Sequence, residues 1–259
     1  MSNLVIAVLG SDGFIGSHVS QSCVKSGMPV FGLQKWNGDR ENFIDQIHEL
    51  KQANPDSQIV LVQAAWYSTS NVDYRTSKEN LKWIEITKSI LRVCIENQVT
   101  FVGLGTCLEK LQTEDDLYAS SKSKIQNYLS QEFLSEDWIW FQLHYVYSLE
   151  YLKPAVLKKA AEAVKAGIPL KLATPNDKHD FIEVRDVAEA IVHSIITGQR
   201  GKLEIGIGST VELSILLKSL FPNLEISEDV SSEKRISYQG AASVERLVKS
   251  GWSPKFSFR

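Results

Sequence analysis

The chain has 259 residues, a formal net charge of −3, 43% hydrophobic residues and 23% charged residues. This length fits one large domain, and this composition excludes an intrinsically disordered chain. The small negative charge, without a run rich in lysine or arginine, indicates that the protein does not bind nucleic acid. The longest apolar run, Leu4–Leu9, is about a third of a membrane-spanning helix, so we expect a cytoplasmic protein that does not enter a membrane.

The three cysteines are widely spaced along the chain, at Cys23, Cys94 and Cys107, and they include no C-x-x-C pair. An odd number of isolated cysteines favours reduced thiols over a disulfide framework. The same spacing does not suit a zinc site. We therefore expect no metal in this protein.

Apolar runs alternate with helical periodicities over the first part of the chain. The runs predict strands at 4–9, 30–33, 59–62, 99–104 and 138–146, and the periodicities predict helices at 15–26, 43–50, 78–95 and 117–134. Strands that alternate with helices form right-handed crossovers, which make the strands of one sheet parallel. The sequence therefore predicts an α/β protein with a doubly wound, parallel-sheet Rossmann fold.

The pattern changes in the second part of the chain, which predicts a helix at 154–166, a strand at 168–172 and a helix at 184–197. We interpret residues 1–150 as a Rossmann-type dinucleotide-binding region. Residues 151–259 are interpreted as mostly a small C-terminal substrate lobe, with residues 180–200 packing back on the Rossmann region.

Three glycines follow the first predicted strand directly. Gly10, Gly13 and Gly16 have the spacing G-x-x-G-x-x-G, and a predicted helix begins within this motif. Glycines allow a tight turn and a close approach of the backbone, so a pyrophosphate can rest on the free N–H groups at the start of the helix. A simple turn can contain the same glycines, but the position between a strand and a helix favours a dinucleotide site.

A second pattern lies at the start of the predicted helix 117–134. Tyr118 and Lys122 are four residues apart, which places both on one helix face, where the lysine charge would lower the pKa of the phenol. Tyr118 is therefore a candidate general acid or base. An exposed helix face can carry the same pair by chance. Thr106, just beyond the predicted strand 99–104, favours the catalytic interpretation, because a hydroxyl there would face the crevice beside Tyr118.

The glycine turn, the strand-end hydroxyl and the Tyr-x-x-x-Lys pair, in this order, resemble the short-chain dehydrogenase/reductase superfamily. Further segments resemble its extended branch, the NAD-dependent epimerase/dehydratase family of nucleotide-sugar epimerases, dehydratases and ketoreductases. These segments are spread over nearly the whole chain and are Val60–Trp66, Gly103–Glu109, Leu143–Ser148, His179–Val187, Ile205–Gly208 and Leu247–Ser257.

The resemblance implies a catalytic triad of Thr106, Tyr118 and Lys122. Tyr118 would exchange a proton with the substrate, Thr106 would hydrogen-bond the same oxygen, and Lys122 would hold the nicotinamide ribose, while hydride moves to or from the cofactor. We also expect a nucleotide-diphosphate sugar as substrate and a homodimer. The residues expected to contact the cofactor are Gly10, Gly13, Phe14, Ile15, Gly16, Lys35, Ala64, Ala65, Tyr118, Lys122 and Tyr145.

The end of the second predicted strand departs from the NAD-binding pattern. An acidic residue there would bind the ribose of NAD, yet the first carboxylate after this strand belongs to Asp39. Lys35 or Arg40 would face a 2′-phosphate instead, although a solvated loop with an incidental lysine is the alternative. We therefore expect NADP(H), with NAD(H) as the second choice.

Three further residues are candidates for contact with the substrate: Cys107, His144 and His179. Cys107 follows Thr106 directly, and the two histidines are the nearest to the expected mouth of the site. His179 stands where the family has an arginine that contacts the diphosphate. The alternatives are a packing role for the cysteine and a hydrogen-bonding role for the histidines. Asp186 is interpreted as a helix cap, and the tryptophans as core or rim residues.

These features lead to three functional hypotheses. The first is an NADP-dependent reduction of a keto group, expected at C4, on a nucleotide-activated deoxysugar. The second is a nucleotide-sugar epimerase that keeps NAD tightly bound, since the same triad serves both reactions. The third is a non-catalytic NAD(P)-binding regulatory protein, although such proteins usually lack the tyrosine or the lysine. A dehydratase is disfavoured, because Cys107 and Leu108 stand where that reaction needs an Asp-Glu pair.

Overall fold

The computed structural model describes residues 3–34, 36, 39–67, 73–133, 138–232 and 234–258. Lys35, one of the residues expected to contact the cofactor, lies outside the described residues. The strands, in chain order, are β1 (Leu4–Leu9), β2 (Val30–Leu33), β3 (Gln58–Gln63), β4 (Thr100–Thr106), β5 (Trp138–Leu143), β6 (Tyr145–Tyr147), β7 (Leu170–Leu172), β8 (Lys178–His179), β9 (Phe181–Glu183), β10 (Gly201–Ile205), β11 (Val211–Glu212) and β12 (Ile226–Glu228). The helices are α1 (Phe14–Lys25), α2 (Arg40–Ala53), α3 (Glu79–Glu96), α4 (Leu117–Glu132), α5 (Ala155–Ala166), α6 (Val184–Ile196), α7 (Leu213–Leu220) and α8 (Glu245–Lys249). A 3₁₀ turn covers Cys107–Leu111.

Six of the described strands form the central parallel sheet, in the order β10-β5-β4-β3-β1-β2. From β1 the chain first runs to one side, to β2, and then returns to build β3, β4, β5 and β10 on the other side. The strand order therefore reverses between β1 and β3, and ligands of open α/β sheets bind in the crevice outside the carboxyl ends of such strands. The prediction of a doubly wound parallel-sheet Rossmann fold is confirmed.

Helices cover both faces of the central sheet. On one face, α1 and α6 pack together over an apolar core that includes Val19 and Ile191. On the other face, α2, α3 and α4 cover a second core that includes Phe43, Ile90 and Ile125. The sheet is therefore buried on both sides, as parallel sheets usually are. None of the described helices is long and apolar enough to span a membrane.

A smaller lobe is built from α5, α7 and short strands around a core that includes Leu157, Phe181 and Leu217. In this lobe β12 pairs with β7, β11 with β8, and β6 with β9. The division into regions 1–150 and 151–259 stays a prediction. The structure adds that β10, which lies beyond that boundary, is a strand of the central sheet, and that α6 packs on α1.

The prediction of one continuous strand over 138–146 is wrong, because β5 ends at Leu143 and β6 begins at Tyr145. At this break the backbone changes its partner. The N–H of His144 donates to the carbonyl oxygen of Ile205 in β10, whereas the N–H of Tyr145 donates to that of Asp180, beside β9. The chain thus leaves the central sheet and enters the smaller lobe at His144.

Asp186 does not cap α6, contrary to the prediction. Glu183 has this role, since its carboxylate accepts the N–H of Arg185 at 2.7 Å. The buried carboxylate of Asp186 instead accepts the backbone N–H groups of residues 255–257. The sequence near a helix start shows its capping residues. It could not show these hydrogen bonds of Asp186, because their donors are about 70 positions away in the chain.

Candidate active site

The glycine turn joins β1 to α1 at the crevice between β1 and β3. Gly10 has a φ of +89°, a conformation that favours glycine, and its carbonyl oxygen accepts the N–H of Gly13 at 3.0 Å. A Cβ atom at Gly10 would lie 2.8 Å from the backbone nitrogen of Ala65, and one at Gly16 would overlap the carbonyl oxygen of Gly10. The turn therefore packs against the end of β3 more closely than any side chain allows.

The start of α1 is open to an anion. The residue before the helix is a glycine without a capping side chain, and the first turn contains no acidic residue. The N–H groups of Phe14 and Ile15 therefore have no partner within the helix, and the helix dipole adds positive potential there. The N–H groups of Ala64 and Ala65 both donate to the carbonyl oxygen of Leu9, which draws the two strand ends together. This geometry fits the pyrophosphate of a dinucleotide.

Two charged side chains after β2, those of Asp39 and Arg40, have partners within the protein. Asp39 accepts the N–H of Asn42 and caps α2. Arg40 forms an ion pair with Glu96, with a distance of 2.6 Å between nitrogen and oxygen. Arg40 was expected, as an alternative to Lys35, to face the 2′-phosphate of NADP. Its guanidinium is instead paired with Glu96.

Thr106 is the last residue of β4, rather than lying beyond the strand as predicted, and it caps the 3₁₀ turn. Its hydroxyl accepts the N–H of Leu108 at 3.3 Å, and its own N–H donates to Oε1 of Glu109 at 2.7 Å. Glu109 is 6% exposed, and its carboxylate also accepts from Nε1 of Trp140 and from Nε2 of Gln142. These reciprocal bonds fix Thr106 at the carboxyl edge of the sheet.

Tyr118 lies in the first turn of α4, and its ring packs edge-on against Tyr74, with ring centres 5.0 Å apart. The ammonium of Lys122 lies 5.8 Å from the centre of the Tyr118 ring. Burial raises the pKa of Tyr118 well above its usual value, and the nearby Tyr74 and Glu109 act in the same direction. The predicted lowering of this pKa is therefore wrong, and the phenol is protonated near neutral pH.

Lys122 is held one helical turn further along α4, where it is 4% exposed. Its ammonium donates to the carbonyl oxygen of Leu104 at 2.6 Å and lies 3.5 Å from the centre of the Trp66 ring. The centre of the Trp140 ring lies 5.8 Å from the same ammonium. Burial lowers the pKa of Lys122 to about 7, while the charge of Glu109 opposes this shift. Near neutral pH the lysine is thus close to its titration midpoint.

Tyr145 and His179 stack on each other at the junction of the two lobes, with ring centres 4.0 Å apart. The Tyr145 hydroxyl accepts the N–H of Tyr238 at 3.1 Å. Nδ1 of His179 lies 3.1 Å from the carbonyl oxygen of Tyr238, to which it can only donate. Burial lowers the pKa of His179, so this histidine is neutral near neutral pH.

Cys107 and His144, the other candidates for substrate contact, are both buried. Burial raises the pKa of the Cys107 thiol to about 12. Nε2 of His144 lies 3.2 Å from a carboxylate oxygen of Glu204, which also pairs with Lys110 at 2.6 Å. This burial leaves little surface on either residue for a substrate, and it favours the packing and hydrogen-bonding roles.

A cavity of about 470 Å³ lies behind the 3₁₀ turn, between that turn, α4 and the strands β5 and β10. Its lining includes Lys110, Ser123, Gln142 and Lys202, but none of the three residues expected to form the triad. The cavity is therefore separate from the crevice that contains the glycine turn and Tyr118.

Three residues close to Tyr118 and Lys122 were not predicted as site residues: Trp66, Arg75 and Glu109. Trp66 and Glu109 end two of the segments that resemble the family, but no role in the site was expected of them. The carbonyl oxygen of Arg75 accepts the N–H of Tyr118 at 3.0 Å. The spacing T-x-x-E at Thr106 and Glu109 is a signature of a capping box and could have revealed the glutamate. Trp66 and Arg75 carry no such local signal, because their contacts are with distant parts of the chain.

The model of the NAD dependent epimerase/dehydratase family matches residues 6–207 of the chain. No curated protein matches the sequence. Solved structures with a similar fold include the three that follow. RMD from Pseudomonas aeruginosa, complexed with NADPH, has a TM-score of 0.76 and 16% identity, covering 99% of this chain and 95% of that chain.

The second structure is a UDP-N-acetylglucosamine 4-epimerase from Methanobrevibacter ruminantium M1, in complex with UDP-N-acetylmuramic acid. It has a TM-score of 0.72 and 16% identity, covering 98% of this chain and 94% of that chain. The third is a hypothetical dTDP-4-dehydrorhamnose reductase from Sulfolobus tokodaii, with a TM-score of 0.69 and 16% identity, covering 98% of this chain and 97% of that chain. At these identities the likeness is one of fold.

Proposed function

Because the chain belongs to the NAD dependent epimerase/dehydratase family, we propose that it is an NADP-dependent reductase of a nucleotide-activated deoxysugar that carries a keto group at C4. NADPH supplies the hydride when it is bound. Tyr118 donates a proton to the carbonyl oxygen, Thr106 hydrogen-bonds the same oxygen, and Lys122 holds the nicotinamide ribose. The glycine turn and the start of α1 bind the pyrophosphate.

The burial of Tyr118, which raises the pKa of its phenol, is the feature that supports the direction of the reaction. A reduction needs a proton donor at the carbonyl oxygen, whereas the first step of an epimerisation needs a base that removes the hydroxyl proton. Burial, Tyr74 and Glu109 all raise the pKa of Tyr118. This environment supports a general acid and therefore a reductase.

The choice of NADP(H) over NAD(H) is supported by the segment after β2. No carboxylate stands between Leu33 and Asp39 in the sequence, and Asp39 caps α2. The NADPH in the Pseudomonas structure supports the choice of NADP(H), and the name of the Sulfolobus protein supports a reductase. The alternative, an epimerase that keeps NAD bound, is supported by the description of the family and by the Methanobrevibacter 4-epimerase. The homodimer and the cytoplasmic location stay predictions.

Two measurements test this proposal. The protein is purified without added cofactor and its bound nucleotide is extracted, and it is then incubated with NADPH and a panel of nucleotide 4-keto-6-deoxysugars while NADPH absorbance is followed. We expect little bound NAD and stoichiometric consumption of NADPH with at least one substrate. Near-stoichiometric bound NAD, together with interconversion of two nucleotide sugars without net redox change, would establish the epimerase instead.

A further inference from the structure

We propose that Glu109 is a positioning residue, which holds the turn that carries Thr106 and provides the negative charge that faces Lys122. This inference rests on the proposed function, in which Thr106 and Lys122 contact the substrate and the cofactor. Glu109 acts on the reaction only through these two residues.

Glu109 occupies a cradle that fits a carboxylate. Gly105 leaves the space for it, because a Cβ atom there would overlap Oε1 of Glu109 and the indole of Trp140. The backbone N–H of Thr106, Nε1 of Trp140 and Nε2 of Gln142 reach the two carboxylate oxygens at 2.7, 3.2 and 2.9 Å. All three partners are donors, which matches an ionised carboxylate, since that form can only accept. Burial raises the pKa of Glu109, and these three bonds and the charge of Lys122 oppose that rise.

Trp140 links this carboxylate to Lys122. Its Nε1 donates to Glu109, and the centre of its ring lies 5.8 Å from the lysine ammonium. The centre of the Trp66 ring lies 3.5 Å from the same ammonium. The charge of Lys122 is therefore beside two indoles and away from water, where a nearby carboxylate is weakly screened.

Glu109 is the charged group that acts on Lys122 among the residues that the structure describes. The other residues around Lys122 come from α4 and from the elements packed against α4, and all of them are uncharged. They are Gln63, Trp66, Thr87, Phe101, Leu104, Tyr118 and Trp140. Burial lowers the pKa of Lys122 to about 7. Loss of the carboxylate would lower it further and leave fewer molecules with an ammonium that can hold the ribose.

The test uses Glu109→Gln, which keeps the size of the side chain and removes its charge. The titration of Lys122 is followed by NMR in protein labelled at lysine Cε, and Lys122→Met assigns the signal. We expect the pKa of Lys122 to fall by about one pH unit in Glu109→Gln. Glu109→Asp, which restores the charge, recovers most of this shift, and Glu114→Gln, at an exposed carboxylate near the same turn, changes nothing. An unchanged pKa in Glu109→Gln overturns the proposal.

If Glu109→Gln does not fold, the titration of Lys122 in the parent protein tests whether the charge of Glu109 acts on this lysine. Ionisation of Glu109 then appears as a second step, on the acid side, in the titration curve of the Lys122 signal, and a curve without this step contradicts the proposal. Neither experiment needs cofactor or substrate. A failure of the proposed function, such as full turnover in Tyr118→Phe, is therefore distinguishable from a failure of this inference.

Discussion

Arg75 and Asp116 form a largely buried ion pair directly beside Tyr118. Nε of Arg75 lies 2.6 Å and Nη2 lies 2.5 Å from the same carboxylate oxygen, and the two side chains are 16% and 5% exposed. Asp116 also caps α4 by accepting the N–H of Ala119. Arg75 in turn donates to the carbonyl oxygen of Ile236. The pair thus ties the start of α4 to two loops that are distant in the sequence.

We expect Arg75→Met to lower the free energy of unfolding by about 3 kcal/mol, because it leaves the Asp116 carboxylate buried without its ionic partner. Urea denaturation measures this change. The matched control is Lys82→Met, which removes the exposed pair with Glu79 and is expected to cost less than about 0.5 kcal/mol. Equal losses in the two variants would show that the Arg75 pair contributes no more than a surface contact.

Tyr118→Phe is expected to lower turnover by about 10²–10⁴, the usual contribution of a general acid, without loss of cofactor binding. The measurement is the rate of NADPH oxidation with the best substrate of the panel. Tyr128→Phe is the control, since Tyr128 lies on the same helix and its hydroxyl accepts from the surface residue Arg92. Turnover within about threefold of the parent in Tyr118→Phe would mean that another group donates the proton.

The low pKa of Lys122 predicts how stability depends on pH. The folded protein loses this proton near pH 7, whereas the unfolded chain keeps it to about pH 10.4. Between these values the unfolded state binds more protons, so this lysine makes stability rise with pH. From about pH 7 to about pH 8.5 we expect a rise of about 1.5 kcal/mol that is absent in Lys122→Met. Parallel curves for the two proteins in urea denaturation would contradict this prediction.

Gly16→Ala tests the glycine turn. Its methyl group would overlap the carbonyl oxygen of Gly10, so the turn and the start of α1 must move apart. We expect NADPH to bind at least about tenfold more weakly, measured by calorimetric titration. Gly27→Ala is the control. Gly27 has a positive φ, so alanine there is expected to lower the free energy of unfolding by about 1 kcal/mol. Because Gly27 lies just beyond the far end of α1, we expect NADPH binding to be unchanged.

The central sheet was predictable because five of its strands are mainly apolar runs. Four of them, β1, β3, β4 and β5, are buried on both faces, as this pattern indicates. The strand Gly201–Ile205 was missed, since it is short and alternates polar with apolar residues at the sheet edge. The break at His144 was missed because Tyr145 and Val146, which follow it, are aromatic and β-branched residues that also favour a strand. Only the change of hydrogen-bond partner separates the two strands.

In the candidate site, the turn glycines and the Tyr118–Lys122 pair were visible because their geometry is set within a few residues of chain. The surroundings of Lys122 were not visible, since Trp66, Leu104 and Trp140 belong to three different elements. The prediction of a lowered pKa for Tyr118 was wrong for the same reason. Spacing along a helix shows a neighbouring charge, but it does not show burial.

The fit between Gly105, Glu109 and Trp140 has a consequence for the evolution of this chain. A methyl group at position 105 would occupy the space of the carboxylate and of the indole at once. No single substitution can therefore introduce a side chain at position 105 while both neighbours keep their places. The three positions are expected to vary together among homologues, and chains with alanine or a larger residue at position 105 should lack both the glutamate and the tryptophan.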